Sequence, residues 1–343
     1  MPALDFPLET LRSYRGSATA PADLGDFWDA TLADARKPPL DVVLEPVETG
    51  LALIDTFDVT FTGFGGARIR GWLHVPAGPR GDVQAQPLPA VVQYAGYSGG
   101  RGLPHQDTVW AQAGWAMLIM DTRGQGYGGI SGDTPDPHPS AGGIAYPGLM
   151  TRGIQDPEDY YYRRLYTDAV RAIEAAQALD AVDSARIVVH GVSQGGGLAI
   201  AAASLAARAG IGGVIACLPD VNFLSDFRRA LDVATAGPYP EIERFLVRHR
   251  EMAATALRTL DYFDVSLLAR WATAPASFSV ALRDEVCPPS TVYAAFNNYG
   301  EDSPERARPA KDITEWPFNN HEGGGEHQVA AHLRRLAELR SST

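Results

Sequence analysis

The chain of 343 residues carries 29 Lys and Arg against 41 Asp and Glu, a formal net charge of -12, which argues against nucleic acid or an anionic membrane as its main partner. With 45% hydrophobic and 20% charged residues, it has the composition of an ordinary soluble globular protein, long enough to bury a substantial core as one large α/β domain or two smaller ones. No apolar run approaches the ~18 residues of a membrane span, and residues 1–10 lack the basic and apolar regions of a secretory signal, so a cytoplasmic location is expected.

From the N-terminus, Pro21-Ala22-Asp23 reads as a helix start, and Leu24, Phe27, Trp28, Thr31 and Leu32 then recur at helical spacing. This predicts an amphipathic helix lying on the body of the molecule. Residues 54–61 and 68–75 alternate as two antiparallel strands around Gly63-Phe64-Gly65-Gly66, a hairpin opening an otherwise parallel sheet. Residues 90–94 form the next strand, followed by a glycine-rich loop to Leu103, a short helix near 108–113 and a strand over 116–120. Residues 121–160 are a glycine- and proline-rich excursion without periodicity. Loops of that length usually cover a site or an interface. Residues 160–179 read as a helix, and its tyrosine-arginine cluster, Tyr160 to Tyr166, reads as packing or subunit contact in preference to a carbohydrate platform.

Residues 187–190 are a β-branched strand that runs into Gly191-Val192-Ser193-Gln194-Gly195, and an alanine-rich helix over 198–207 follows. A strand is expected over 213–218, then an insertion over 222–271 with helix chiefly at 241–259, standing over the sheet. A strand over 276–282, ending at Arg283-Asp284-Glu285, a helix over 289–297, a short strand over 312–316 and a closing helix over 326–340 complete the chain. Strand and helix alternate, the signature of a mostly parallel central sheet flanked by helices. With no internal repeat and no low-complexity linker, residues 1–343 are read as a single α/β domain with an N-terminal extension and a helical insertion. Cys217 and Cys287 show no CxxC and no metal-ligand spacing, and are read as buried thiols.

Glycine on both sides of Ser193, between a strand and a helix, is a nucleophile elbow, in which a strained turn lifts the hydroxyl out of the sheet. Gly96-Tyr97-Ser98-Gly99-Gly100 fits the same pattern, but Arg101-Gly102-Leu103-Pro104 follows it, which is loop chemistry and no helix start. Ser193 is therefore the candidate nucleophile, and Ser98 is not. A serine hydroxyl needs a base held by an acid. Of eight histidines, only His321 stands in a loop between a late strand and a helix, and Ser193, Asp284 and His321 fall in the nucleophile-acid-histidine order of α/β-hydrolases. Glu285 is the rival acid, but the shorter carboxylate one residue nearer the strand is better fixed to orient an imidazole. The oxyanion needs two amide donors. Gln194 is the expected first, and a residue at or near Tyr94, after the earlier strand, the second. Asp121 to Gly126 is expected to brace the elbow. His321-Glu322 lacks a second histidine at zincin spacing, and neither a metal nor a cofactor is expected.

With these residues in place, the chain resembles the acetyl xylan esterase and cephalosporin C deacetylase family, carbohydrate esterase family seven. The resemblance runs from Phe6-Pro7-Leu8 to the closing helix, through Gly71-Trp72-Leu73-His74-Val75-Pro76, Arg123-Gly124-Gln125, Tyr146-Pro147-Gly148 with Thr151-Arg152-Gly153, the Ser193 elbow, Cys287-Pro288-Pro289-Ser290-Thr291 and His321-Glu322. It implies an α/β-hydrolase fold and an esterase that removes acetyl groups from small substrates such as acetylated xylo-oligosaccharides and cephalosporin C. It also implies a cytoplasmic hexamer in which residues 121–160 make subunit contacts. Matched by position, Ser193, Asp284 and His321 carry the triad, with backbone donors from Tyr94 and Gln194. Ser98 stands where the family often has glycine, and Pro219-Asp220-Val221-Asn222-Phe223 departs from the usual segment, which bears on substrate preference more than on the reaction. The alternatives are a peptidase or thioesterase on the same triad, or a sugar-binding protein on a hydrolase scaffold.

Overall fold

The computed structural model describes residues 5–78, 86–139 and 144–341. Nine strands form one sheet in the order β1-β2-β3-β5-β4-β6-β7-β8-β9: β1 Val43–Val47, β2 Ile54–Thr62, β3 Arg68–Pro76, β4 Leu88–Tyr94, β5 Ala116–Met120, β6 Val182–Val192, β7 Val214–Asp220, β8 Ala276–Ala281 and β9 Lys311–Trp316. The pairs from β1 through β3 to β5 are antiparallel. From β5 onward the sheet is parallel. The helices are α1 Leu8–Leu11, α2 Leu24–Ala35, α3 Val109–Gln112, α4 Tyr161–Gln177, α5 Gln194–Arg208, α6 Phe227–Val233, α7 Tyr239–Arg248, α8 Ala253–Asp261, α9 Val265–Leu268, α10 Pro289–Asn298 and α11 Gly325–Ser341. This is the α/β-hydrolase architecture.

The central strands are apolar on both sides because helices cover both faces of a parallel sheet. Every residue of β5 is buried. Alternate residues of one strand enter different cores: Val92 and Leu118 pack with α4 and α5, whereas Val91, Met117 and Ile119 pack with Trp110 of α3 and Leu336 of α11. The expected hairpin is present as β2 and β3, and the expected parallel strands lie within a few residues of the positions read from the sequence.

Three elements depart from that reading. Edge strand β1 is nearly all exposed and holds Glu45 and Pro46, so it has no buried alternation to betray it; its charge and proline protect an open sheet edge. Helix α5 starts at Gln194, several residues earlier than expected, because the glycines are its first turn. The long helix expected in the insertion is broken at His249, whose φ of -123° and ψ of 58° end α7 before a 3-10 turn leads into α8. Of the 121–160 excursion, residues 140–143 lie outside the described set. Among the described residues, no helix is long and apolar enough to cross a membrane.

Strand order reverses about β4, with β5 on one side and β6 on the other. Loops leaving the carboxyl ends of β4 and β6 therefore part company and leave a crevice between them, the usual place for a ligand in an open α/β sheet.

Candidate active site

Ser193 follows β6 at that crevice with a positive φ, at φ 59°, ψ -119°, which is strained for a residue with a side chain. The turn is held from three sides. The Ser193 amide donates to the Asp220 carbonyl at the end of β7 (2.9 Å), and the Ser193 carbonyl accepts the amides of Gly197 (3.0 Å) and Phe223 (2.9 Å). Glycine is required here by closeness: a Cβ on Gly191 would stand 2.3 Å from the Gly195 carbonyl carbon, and one on Gly195 2.2 Å from the Tyr94 oxygen.

His321 lies in the loop between β9 and α11. Its Nε2 is 2.9 Å from Ser193 Oγ and its Nδ1 2.9 Å from Asp284 Oδ2. Asp284 is 1% exposed, and its Oδ1 accepts the amides of Val286 and Cys287, each at 2.8 Å. Three residues far apart in the chain thus form one unbroken relay. Glu285 stays outside it; its amide donates to Asn320 Oδ1 at 3.0 Å, which steadies the histidine loop. Cys287 is buried and free, as is Cys217. Burial and the neighbouring Asp284 carboxylate push the Cys287 thiol well above its ordinary range, and burial pushes Cys217 up to about 12, so both remain neutral thiols.

Gln194 begins α5 and its side chain is fully buried. Its Oε1 accepts from Gln125 Nε2 and from the Tyr162 hydroxyl, both at 3.0 Å, and its Nε2 donates to the Ala95 carbonyl at 3.3 Å. The segment around Arg123 and Gln125 therefore braces the elbow. Arg123 is ion-paired with buried Asp168 of α4, and the Tyr161 hydroxyl donates to the Arg123 carbonyl at 2.6 Å. Tyr160, Tyr161, Tyr162 and Tyr166 are wholly buried, which rules out a carbohydrate platform and leaves packing as their role.

Tyr94 is the last residue of β4, in register with Met120 and Gly191. Its ring runs away from the crevice to donate to the Ala169 carbonyl at 2.8 Å. Two cavities open onto Ser193. One, of about 480 Å³, is lined by Gln93, Tyr94, Gly96, Arg101 and His190 among others. The other, of about 390 Å³, is lined by Gly96, Tyr97, Pro238, Glu241, Val286 and His321. Gly96 is common to both, so the loop directly after Tyr94 flanks Ser193. Ser98 belongs to that loop, its carbonyl accepting the amides of Gly126 (3.1 Å) and Gly128 (3.0 Å), while His321 reaches Ser193.

Two contributors escaped the sequence. Tyr97 and Glu241 are 144 residues apart, yet the Tyr97 hydroxyl donates to the Glu241 carboxylate at 2.8 Å and accepts the Leu149 amide at 2.6 Å. Burial holds the Glu241 carboxyl above its usual range. The only sequence signal for the pair was the placement of Glu241 in an insertion read as standing over the sheet.

The acetyl xylan esterase family model matches residues 1–339. An acetyl esterase of Xylanibacter ruminicola, Axe7A, is 30% identical over 300 residues, which are 85% of this chain and 62% of that protein. The chain thus spans less than two thirds of that relative's length. Among solved structures, an acetyl xylan esterase from Paenibacillus sp. R4 is 36% identical, with a TM-score of 0.86 over 97% of this chain and 99% of that one. Acetyl xylan esterase 1 from Thermoanaerobacterium sp. JW/SL YS485 is 29% identical, with a TM-score of 0.85 over 98% and 100%.

Proposed function

Because the chain belongs to the acetyl xylan esterase family, we propose that it is a serine carboxylesterase that removes acetyl groups from small acetylated carbohydrates, xylo-oligosaccharides among them, and from cephalosporin C-like acetyl esters. The observation that carries the reading is the relay from Asp284 through His321 to Ser193, with 2.9 Å at each step, beside cavities of a few hundred cubic ångströms.

The chemistry follows from the geometry. His321 Nε2 takes the Ser193 proton as Oγ adds to the acetyl carbonyl, and Asp284 fixes the tautomer and steadies the imidazolium. The oxyanion forms beside the first turn of α5, where the Gln194 amide and an amide at or just after Tyr94 would receive it. The alcohol leaves with the proton from His321. Water, deprotonated by the same base, then releases acetate from the acyl-enzyme. Tyr97, Pro238 and Val286 crowd the cavity that Ser193 shares with His321, which supports a preference for acetyl over longer acyl groups. A cytoplasmic homo-oligomer, a hexamer, is part of the same proposal, and light scattering on the purified protein tests its size.

The test is hydrolysis of nitrophenyl acetate, butyrate and octanoate, acetylated xylo-oligosaccharides, a thioester and a peptide amide by wild type, Ser193→Ala and Ser98→Ala. Acetate esters should be preferred, Ser193→Ala should lose about 10⁴-fold or more in kcat, and Ser98→Ala should stay active. Faster turnover of the amide, the thioester or the octanoate, or an active Ser193→Ala, overturns the reading.

A further inference from the structure

Between the sheet and α11, His190 of β6, Asp220 of β7 and His332 of α11 converge. They are 7%, 6% and 2% exposed, and one ligand atom from each lies within 4.8 Å of the other two. None of them belongs to the relay described above.

The hydrogen bonds around the cluster orient its side chains. An indole N–H can only donate, and Trp110 Nε1 donates to Gln93 Oε1 at 2.7 Å, while the Gln93 nitrogen is engaged by the Asp107 carboxylate. The oxygen of Gln93 is therefore assigned, and it lies 3.2 Å from His190 Nδ1. That nitrogen carries the proton. Nε2 of the same ring faces Asp220 Oδ2, 3.5 Å away.

Trp316 Nε1 donates to Gln328 Oε1 at 3.2 Å, which turns the Gln328 amide nitrogen onto His332 Nε2 at 3.2 Å. The same nitrogen is 2.8 Å from Asp220 Oδ2, so the amide N–H and the carboxylate compete for it. The remaining carboxylate oxygen, Oδ1, is held by the Ser279 hydroxyl at 2.7 Å. Two imidazole nitrogens and a carboxylate oxygen therefore converge on one buried spot. A divalent cation there would take a lone pair from both imidazoles and the carboxylate together and leave the Gln328 amide free of the competition.

We propose that His190 Nε2, His332 Nε2 and Asp220 Oδ2 form a binding site for a zinc-class divalent metal ion, with water completing the shell. Two imidazoles and a carboxylate are a zinc donor set. Gln93 on His190 and Ser279 on Asp220 are the outer hydrogen bonds that orient such ligands. Tetrahedral ligands about 2.1 Å from zinc stand about 3.4 Å apart; the 3.5 Å separation already matches, and the 2.8 Å one opens by roughly half an ångström. The role is structural. The Asp220 carbonyl receives the Ser193 amide, so the ion ties α11, which follows the His321 loop, to the strand end that holds the nucleophile.

The test strips the full-length protein with a chelator and titrates it with Zn²⁺ alone, reading metal content, calorimetric stoichiometry and melting temperature, for wild type, His190→Gln and His332→Gln. One zinc per chain should bind, and the melting temperature should rise by roughly 2–5 °C at free zinc 100-fold above Kd. Each variant should weaken binding at least about 100-fold. Co²⁺ in place of zinc should show the visible bands of a tetrahedral site with nitrogen and oxygen ligands and no thiolate charge transfer, which separates this cluster from Asp284, Cys287 and His321. These wild-type readings stand even if a variant fails to fold. No uptake, uptake unchanged in both histidine variants, or a thiolate spectrum overturns the site and leaves an imidazolium proton in its place.

Discussion

Asp284 and Glu285 differ by one methylene and one step along the chain, and only Asp284 reaches the imidazole. Two amides, from Val286 and Cys287, point one carboxylate oxygen of Asp284 into the turn. The other oxygen is left for His321 Nδ1. Glu285 is half-buried, and only its amide serves the histidine loop. Asp284→Asn keeps the shape but favours the wrong histidine tautomer, and should lower kcat by about 10⁴-fold with the fold intact by circular dichroism. Glu285→Gln should stay within roughly threefold of wild type. The sequence carried this choice because both candidates stood where a strand ends and the shorter side chain is the better clamp. Nothing local paired Tyr97 with Glu241, since their hydrogen bond joins the loop after β4 to the first turn of α7, 144 residues away. His190 and His332 were likewise read as an ordinary strand residue and an ordinary helix residue, because their convergence on Asp220 appears only when β6, β7 and α11 are packed together.

Among the elements, the elbow was legible and its reason was not. Small residues around Ser193 announced a tight turn, but the partner that demands them is the carbonyl of Tyr94, a strand away in sequence. Gly195→Ala would bring a methyl to 2.2 Å from that oxygen, and backbone cannot step aside as a flexible side chain can. This substitution should cost about 1–3 kcal/mol in a denaturant titration and abolish most of the activity, because relief of the clash moves Gln194 and the turn with it. Gly212→Ala, where nothing lies within 4 Å, should change stability by less than about 0.5 kcal/mol. Elements whose signal is burial were found in sequence: the strands β4 to β8 and the helices packed on them. Edge strand β1 was not, since an exposed strand at a sheet margin carries no apolar period, and the break at His249 in the insertion has neither glycine nor proline to mark it.

At the scale of the molecule, the N-terminal extension was read only as an amphipathic helix lying on something, and what it lies on is the junction between α4 and the insertion. Trp28 of α2 is wholly buried. Its ring stacks on Tyr166 of α4 with centroids 5.8 Å apart, meets Phe263 of the insertion edge-on at 5.5 Å, and its indole donates to the Tyr262 carbonyl at 2.9 Å. Upstream, the Tyr14 and Ser17 hydroxyls both donate to Asp226, at 2.8 and 2.7 Å, where α6 begins, so extension and insertion are joined twice. Glu241, which reaches the cavity beside Ser193, stands on that insertion. Trp28→Ala should therefore cost about 3–5 kcal/mol and lower the melting temperature by roughly 5–10 °C, while Trp28→Phe, which keeps a ring but strands the Tyr262 carbonyl, should cost about 1–3 kcal/mol. If the extension steadies the insertion over the site as well as the fold, KM of the Ala variant should rise well below its melting temperature while kcat stays near wild type. An unchanged KM with the same loss of stability would confine Trp28 to the core.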